Sequence, residues 1–547
     1  MKLTSSGIGL FILAWLLLYS IWAQINRDNG EGLLDTERIV ISFAHVQLES
    51  GMREAYNALI ADYEALHPNV SVTQIPVPLR VWRFWMESRL AGGMAPDLMQ
   101  LVDNDPNPIQ RNFHPIDEWV EEPNPYNAGT DLEGIPWKDT LVVNLDAPPA
   151  YWPEYLSYYS VPLTVFTFRV LYNKPLLEEI SGSSEFPEDF ASFLELCDKV
   201  NAIASKENRT LYPIAGSKYN APFFNIALVR SQTQKLYRQV DLTRELDNNF
   251  DVAMSGYLWG LWNLRDPEIR SGLELVQRFG RYFQPGFNQA NREDALFYFL
   301  QERALMNVAG SFELAGIRED ASFDIGVAQI PMPDSGHPSY GRYTLGPVSE
   351  RQASLRSGFA VTKQSRHREQ AIDFLRFLSS QEAHRKFVAI SRWVPVVQGV
   401  EVPEDTRIFQ PIQSGYHQGF AVGNGVETRR LRDVSQNLLF EENGIERFLD
   451  KVEPVYAEHE VLDMAKEVRE SLNNASSWDG VIAARKIAGE FSSPDKTAGQ
   501  KLSKALESQA RLERVYHRVQ YETWRFRKYG IPESPIPAYV NRGESEE

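Results

Sequence analysis

The stretch from Ile39 to Val77 constrains this chain more tightly than any other. Ile39-Val-Ile-Ser-Phe-Ala44 is a short apolar run fit for a buried strand. Met52, Ala55, Tyr56, Leu59, Ile60, Tyr63 and Leu66 then recur at spacings of three and four, which lines them up on one face of a helix beginning near Ser50 or Gly51. His67-Pro68-Asn69 ends that helix, because proline has no amide hydrogen and disfavours a helical residue before it. Val70 to Val77 reads as a second strand. Strand, helix, strand is a βαβ unit, so the expectation is a parallel sheet covered by helices.

The rest of the chain keeps the alternation. Strands are expected at Leu98 to Val102, Val165 to Tyr172 and Ile325 to Ile330, with helices at Pro187 to Ala202, Arg292 to Glu302 and Arg368 to Ser379. In the last of these, Ile372, Leu375 and Leu378 are structural. No internal repeat, low-complexity tract or flexible linker interrupts the pattern. At 547 residues the chain exceeds one ordinary core, so two large lobes with extensions are expected. The 73 acidic against 56 basic residues give a net charge of −17, which argues against nucleic acid as a partner and suits a neutral or cationic ligand. The single cysteine, Cys197, shares a helical face with Phe190, Phe193, Leu194 and Val200 and reads as a small buried apolar residue.

At the N-terminus an uncharged apolar run extends from Gly7 to Ala23. It is somewhat long for a signal-peptide core and just long enough to span a bilayer, and cleavage after Ala23 would put Ile21 where a small residue is preferred. A signal peptide and an uncleaved membrane anchor over residues 1–25 both stay open. No cysteine is present here to carry a lipid. The basic end before the run and the acidic stretch after it place the bulk of the chain outside the cytoplasm.

Ala91-Gly92-Gly93 lets a helix end and the backbone turn, and Pro96-Asp97 starts a strand whose carboxyl end lies at Gln100 to Asp105. Ligands of open α/β sheets sit beyond the carboxyl ends of strands, so Gln100, Asp103, Asn104 and Asp105 become candidate ligand contacts. A calcium-hand reading fails, since Pro108 would stand where glycine is needed and His114 where glutamate is needed. No phosphate loop, nucleophile elbow or zinc-ligand spacing is present, and the nine histidines are scattered. The carboxylates are too many for a glycosidase pair to be picked out.

Several short phrases stand in order: Ala91-Gly-Gly-Met-Ala-Pro-Asp97, Ser160-Val-Pro162 leading to Tyr172-Asn-Lys174, Gly310-Ser-Phe-Glu313, and Gly358-Phe-Ala-Val-Thr-Lys363. From about Ile39 to Pro395 the chain resembles the family 1 extracellular solute-binding proteins, the sugar receptors of bacterial ABC importers. The resemblance implies a two-lobe type II periplasmic binding protein fold with the ligand cleft between the lobes. It further implies a monomeric, non-enzymatic receptor without cofactor or metal, which closes on a mono- or oligosaccharide and docks on the importer's permease subunits. It places Tyr172 in the cleft, Phe312 where tryptophan often stands with Glu313 after it, and Trp393 in a loop that meets the ligand. The chain's own residues add Trp137, because Gly134-Ile-Pro-Trp137 reads as an exposed turn. Trp82, Trp85, Tyr151, Trp152, Tyr219, Trp259 and Trp262 widen the list of aromatic rings without ordering it.

The domain plan that follows assigns 37–158 to the first lobe, 159–356 to the second, 357–395 to a return segment of the first, and 396–490 to the second again. Residues 491–547 form a helical extension. In it, Lys501 to Lys528 is basic and aromatic, suited to packing on the body, to a partner or to an anionic membrane. A tethered sugar sensor that signals to a membrane partner would use the same cleft. A carbohydrate-active enzyme is the remaining alternative.

Overall fold

The computed structural model describes residues 38–532, apart from 50, 103–106, 143–144, 146–148, 153–154, 156, 242–249, 351–356, 424 and 492–495. The apolar run from Gly7 to Ala23 lies outside the described residues, and among these no helix is long and apolar enough to cross a membrane.

The opening alternation is β1 (Ile39–His45), α1 (Met52–Leu66), β2 (Val70–Pro76), α2 (Leu79–Ala91) and β3 (Leu98–Leu101), with β1 parallel to both β2 and β3. The apolar stripe of α1 is buried from Met52 to Tyr63. Gly51 precedes it at φ 83°, and a Cβ there would stand 2.9 Å from the Ile390 carbonyl oxygen, so that turn excludes a side chain on both conformational and steric grounds. At the start of β3, Asp97 Oδ2 accepts from the Ser42 amide at 2.8 Å, and Oδ1 accepts from the Ser365 hydroxyl at 2.6 Å. One carboxylate thereby joins three separate stretches of the first lobe.

After β4 (Ser160–Val161) the chain passes into the second lobe. There it forms β5 (Phe168–Asn173), α3 (Phe190–Glu207), β6 (Tyr212–Ala215), α4 (Phe250–Leu258), α5 (Arg292–Leu300), β7 (Ala304–Gly310) and β8 (Ile325–Ala328). It returns as β9 (Gly358–Val361), α6 (Arg368–Leu378) and α7 (Gln381–Ser391). A third crossing follows, with Val394 bridging to Val165 and a short helical turn at Glu404–Phe409 lying against β5. The two sheets have the orders β2-β1-β3-β9-β4 and β8-β5-β7-β6. Buried Arg169 of β5 fixes the last crossing, donating to Glu350 at 2.8 and 2.9 Å and to the Ile408 and Gln410 carbonyls.

Two boundaries move relative to the sequence-based plan. Ser160–Val161 pairs with β9 in the first sheet, so the first crossing runs over 162–167 rather than starting at 159. The division at 490 falls inside one unit, because α8 (Val426–Ser435) is followed by α9 (Gly444–Phe491) and α10 (Lys496–Tyr529), which pair as one helical hairpin. Its base shares a core with α4, in which Tyr257, Trp262, Phe448, Tyr456 and Val519 are buried together. Within that base Asp463 caps α8, accepting from the Glu427 and Thr428 amides at 2.8 and 3.0 Å. Glu460, fully buried beside Tyr456 and Asp463, is pushed up to about 8, chiefly by loss of hydration. Cys197 is buried in the second lobe's core, which raises its thiol well above the usual range.

Candidate functional site

The two sheets present matching edges to one another. β1, β2 and β3 run parallel, so their carboxyl ends leave the first sheet on one side, and the first crossing departs from that side too. In the second lobe β6 and β7 are parallel, and β5 begins beside the end of β7, with Phe168 opposite Gly310. The chain arriving from the first lobe therefore enters at the edge where β6 and β7 end, and the cleft lies between these edges.

The second lobe's wall is built where β7 stops. Ser311–Glu313 forms a single tight turn, closed by Glu313 Oε2 accepting from the Gly310 amide at 2.9 Å. That turn turns Phe312 toward Phe166 at 5.7 Å and 87° between rings, and toward Trp393 at 6.0 Å and 32°. Edge-on and tilted ring pairs of this kind are the favourable arrangements for aromatic quadrupoles. Arg292, the first residue of α5, donates through Nε to Glu313 Oε1 at 2.6 Å, and its guanidinium carbon stands 5.3 Å from the Phe312 ring centre.

The first lobe contributes the loop after β1. Gln100 Oε1 accepts from the Val46 amide at 2.9 Å, and Gln47 Nε2 donates to the Thr164 hydroxyl of the first crossing at 3.0 Å. The loop ends at Glu49, whose carboxyl is raised chiefly by burial, pulled down by the Arg292 charge and pushed up again by Glu313. Glu313 is likewise raised by burial against the opposing pull of Arg292. One cation and two poorly hydrated carboxylates, drawn from both lobes, thus sit beside a wall of aromatic rings. Among the described residues no group of His, Cys, Asp and Glu side chains is placed to hold a metal ion.

The model of the family described as bacterial extracellular solute-binding protein matches residues 123–408, just over half of the chain. This chain belongs to the bacterial extracellular solute-binding protein family. A curated relative, the multiple sugar-binding protein of Streptococcus mutans, is 22% identical over 388 residues, 69% of this solute-binding protein and 79% of the relative. Among solved structures, apo RafE from Streptococcus pneumoniae superposes with a TM-score of 0.52 at 14% identity, over 78% of this chain and 100% of the other. The GacH receptor of Streptomyces glaucescens gives 0.51 at 18% identity, over 77% and 98%. These likenesses establish the two-lobe binding-protein fold, and membership of a family of receptors makes the chain a binding protein rather than an enzyme with an extracytoplasmic place of work.

Within the solute-binding protein, Phe312, Glu313 and Trp393 are brought together as one cluster, although Trp393 is nearly buried. Tyr172 is not part of it. β5 is antiparallel to β7, so its amino end at Phe168 meets the cleft and Tyr172, four residues on, lies about 13 Å away along the strand. The Tyr172 ring instead stacks on Phe186 at 4.8 Å and covers Gly326, where a Cβ would come within 2.1 Å of it. Trp137 is not on an exposed turn. Its indole N–H donates to the Ser379 hydroxyl at 2.8 Å, and the ring is buried in the first lobe's core. Gln100 is buried too, its acceptor engaged by Val46, so it braces the β1 loop. Asp103, Asn104 and Asp105 lie outside the described residues.

Two residues at this edge of the solute-binding protein escape a reading of local pattern, and a third, Tyr219, stands in the sequence only as one of several unordered rings. Glu49 and Arg292 come within electrostatic reach of one another only in three dimensions, and nothing in their neighbourhoods marks either one. Tyr219 follows β6, a strand of only four residues, and stands 58% exposed beyond its carboxyl end, at the same edge as Phe312. A cavity of about 440 Å³ lined by Tyr63, His67, Trp119, Asp373 and Arg376 lies by contrast at the amino ends of β1 and β2, on the side of the first lobe away from the cleft. Its Asp373 already accepts from the Tyr63 and Tyr126 hydroxyls at 2.7 Å each.

Proposed function

We propose that this solute-binding protein captures a carbohydrate in the cleft between its lobes and delivers it to the permease subunits of an ABC importer. The observation that carries the reading is the pairing of the Phe166, Phe312 and Trp393 rings with the Glu313–Arg292 ion pair, opposite Glu49 of the other lobe. A sugar ring has an apolar C–H face and a rim of hydroxyls, so it suits aromatic stacking combined with charged, directional hydrogen-bond partners. The name of the Streptococcus mutans relative and the acarbose complexes of GacH support the same ligand class.

Delivery follows from closure. Hinge motion about three crossings favours the closed form only to the extent that ligand binds it better than the open one. The apolar run from Gly7 to Ala23 serves as export signal or as anchor to the inner membrane on the same reading.

The test is calorimetric titration of the protein with a panel of mono- and oligosaccharides, with chromatography of the ligand afterwards. Saturable binding of an unaltered sugar is the expected result. Silence across the panel, or conversion of the sugar to product, overturns the proposal.

A further inference from the structure

The helix α10 has one face that the fold uses and one that it leaves outside. On the inner face Val515, Val519 and Phe526 join the core with α4 and α9, and buried Glu522 accepts from the Ser255 hydroxyl at 2.6 Å and the Trp259 indole at 3.2 Å. Arg525 turns inward as well, its guanidinium carbon 4.2 Å from the Trp259 ring centre. The outer face at the end of the helix carries Tyr521, Trp524 and Tyr529, which are 52%, 50% and 64% exposed. Trp524 lies 5.9 Å from Tyr521 and 6.0 Å from Tyr529 between ring centres, and the Lys528 ammonium stands 5.1 and 5.0 Å from Trp524 and Tyr529. Contiguous exposed rings of this kind mark a surface that meets something.

Charge identifies the partner's sign. Between Lys496 and Tyr529 there are nine basic residues against three glutamates, in a chain whose net charge is −17. Of residues 523–532, Arg527 and Lys528 carry their charge outward and none is acidic, while Arg525 and Glu522 are both turned into the core. The surface therefore attracts an anion against the trend of the whole molecule. Its shape narrows the choice, since the side of a helix is convex and offers no groove to a peptide. Amphipathic rings beside a lysine whose long stem reaches outward are suited to the level of lipid headgroups, where ring bodies meet acyl chains and polar tips stay wet.

We propose that the end of α10, with Tyr521, Trp524, Arg527, Lys528 and Tyr529, docks on an anionic phospholipid surface. The docked face belongs to the hairpin seated on the second lobe, and the family match ends at 408, before the hairpin begins. The contact is thus an addition to the solute-binding fold and independent of what the cleft holds.

The full chain with Gln520→Cys tests this. Cys197 is completely buried, so an environment-sensitive dye reports from position 520, one residue from Tyr521 on an exposed part of α10. With vesicles of phosphatidylglycerol and phosphatidylcholine a blue shift is expected that salt reverses and that pure phosphatidylcholine does not give. Lys2 ahead of the N-terminal apolar run also favours anionic vesicles, so the control is a variant that leaves that end unchanged while the dye reports from position 520. Arg527→Gln with Lys528→Gln is expected to lower the docked-to-free ratio roughly thirtyfold, about fivefold for each basic residue, without moving the melting temperature. An unshifted dye on anionic vesicles, an equal shift on neutral ones, or a shift that appears only when a membrane protein is added overturns the proposal.

Discussion

Arg292 and Glu313 are joined at 2.6 Å at the point where the second lobe's β7 ends, and the same guanidinium packs against Phe312. The pair stands within electrostatic reach of Glu49 in the first lobe, which makes Arg292 the common counter-charge of two carboxylates that burial alone would drive toward the protonated form.

Removing that counter-charge should show itself as pH dependence. In Arg292→Gln both carboxyls rise further. A carboxyl whose folded-state value lies above its unfolded value favours the fold below the unfolded value and loses that contribution as pH rises through the folded one. Arg292→Gln is therefore expected to lose more stability at pH 7.5 than at pH 5, by about 1 kcal/mol given that Arg292 is half exposed. Urea denaturation at the two pH values measures it, and equal losses would contradict the electrostatic account.

Ring deletions should separate ligand contact from core packing. Phe312→Ala is expected to weaken sugar binding by roughly 1–3 kcal/mol, and Trp393→Ala to do the same while also costing about 3–5 kcal/mol of stability, because that ring is nearly buried. Titration calorimetry and denaturation on the same samples give both numbers.

Tyr219 and Tyr172 make a contrasting pair. Tyr219→Ala is expected to leave the melting temperature unchanged and to reduce sugar affinity about fivefold, as loss of one exposed stacking ring would. Tyr172→Ala is expected to lower the melting temperature by several degrees and leave affinity intact, since its ring is spent on Phe186 and Gly326.

Glu460 predicts an effect far from the cleft. With its carboxyl raised to about 8 in the fold, its contribution is fully present below the ordinary glutamate range and is lost as pH rises from there to about 8. Glu460→Gln removes the proton uptake, so its stability profile is expected to be flatter than that of the parent between pH 5 and 8. Parallel profiles would show that the carboxyl is not protonated in the fold.

Much of the architecture was legible because it rests on local periodicity. The α1 stripe, the short strands and the helix starting at Arg292 appear within a few residues of their expected ends. Asn173 caps the helix after β5, accepting from the Leu176 amide at 2.9 Å. Position along a strand and direction of that strand are separate facts, and only the first is written locally. Tyr172 stands apart from the Phe312 cluster for that reason, since it closes an apolar run whose opposite end, Phe168, lies beside Gly310 at the edge between the lobes. Trp137 was misplaced because a turn signal says that the backbone bends and not that its side chain stays in water; Ser379 receives the indole. The Glu49–Arg292–Glu313 grouping joins residues some 240 positions apart and leaves no periodic trace.

The strand order of the first sheet also dictates a timetable. β9 lies between β3 and β4, so residues 358–361 must leave the ribosome before that sheet has its inner strand. The second sheet needs only residues 168–328, an uninterrupted stretch. During synthesis the lobe that begins later is therefore the first able to finish its sheet, and the lobe that begins the protein waits, with β3 lacking its neighbour, until the return segment arrives.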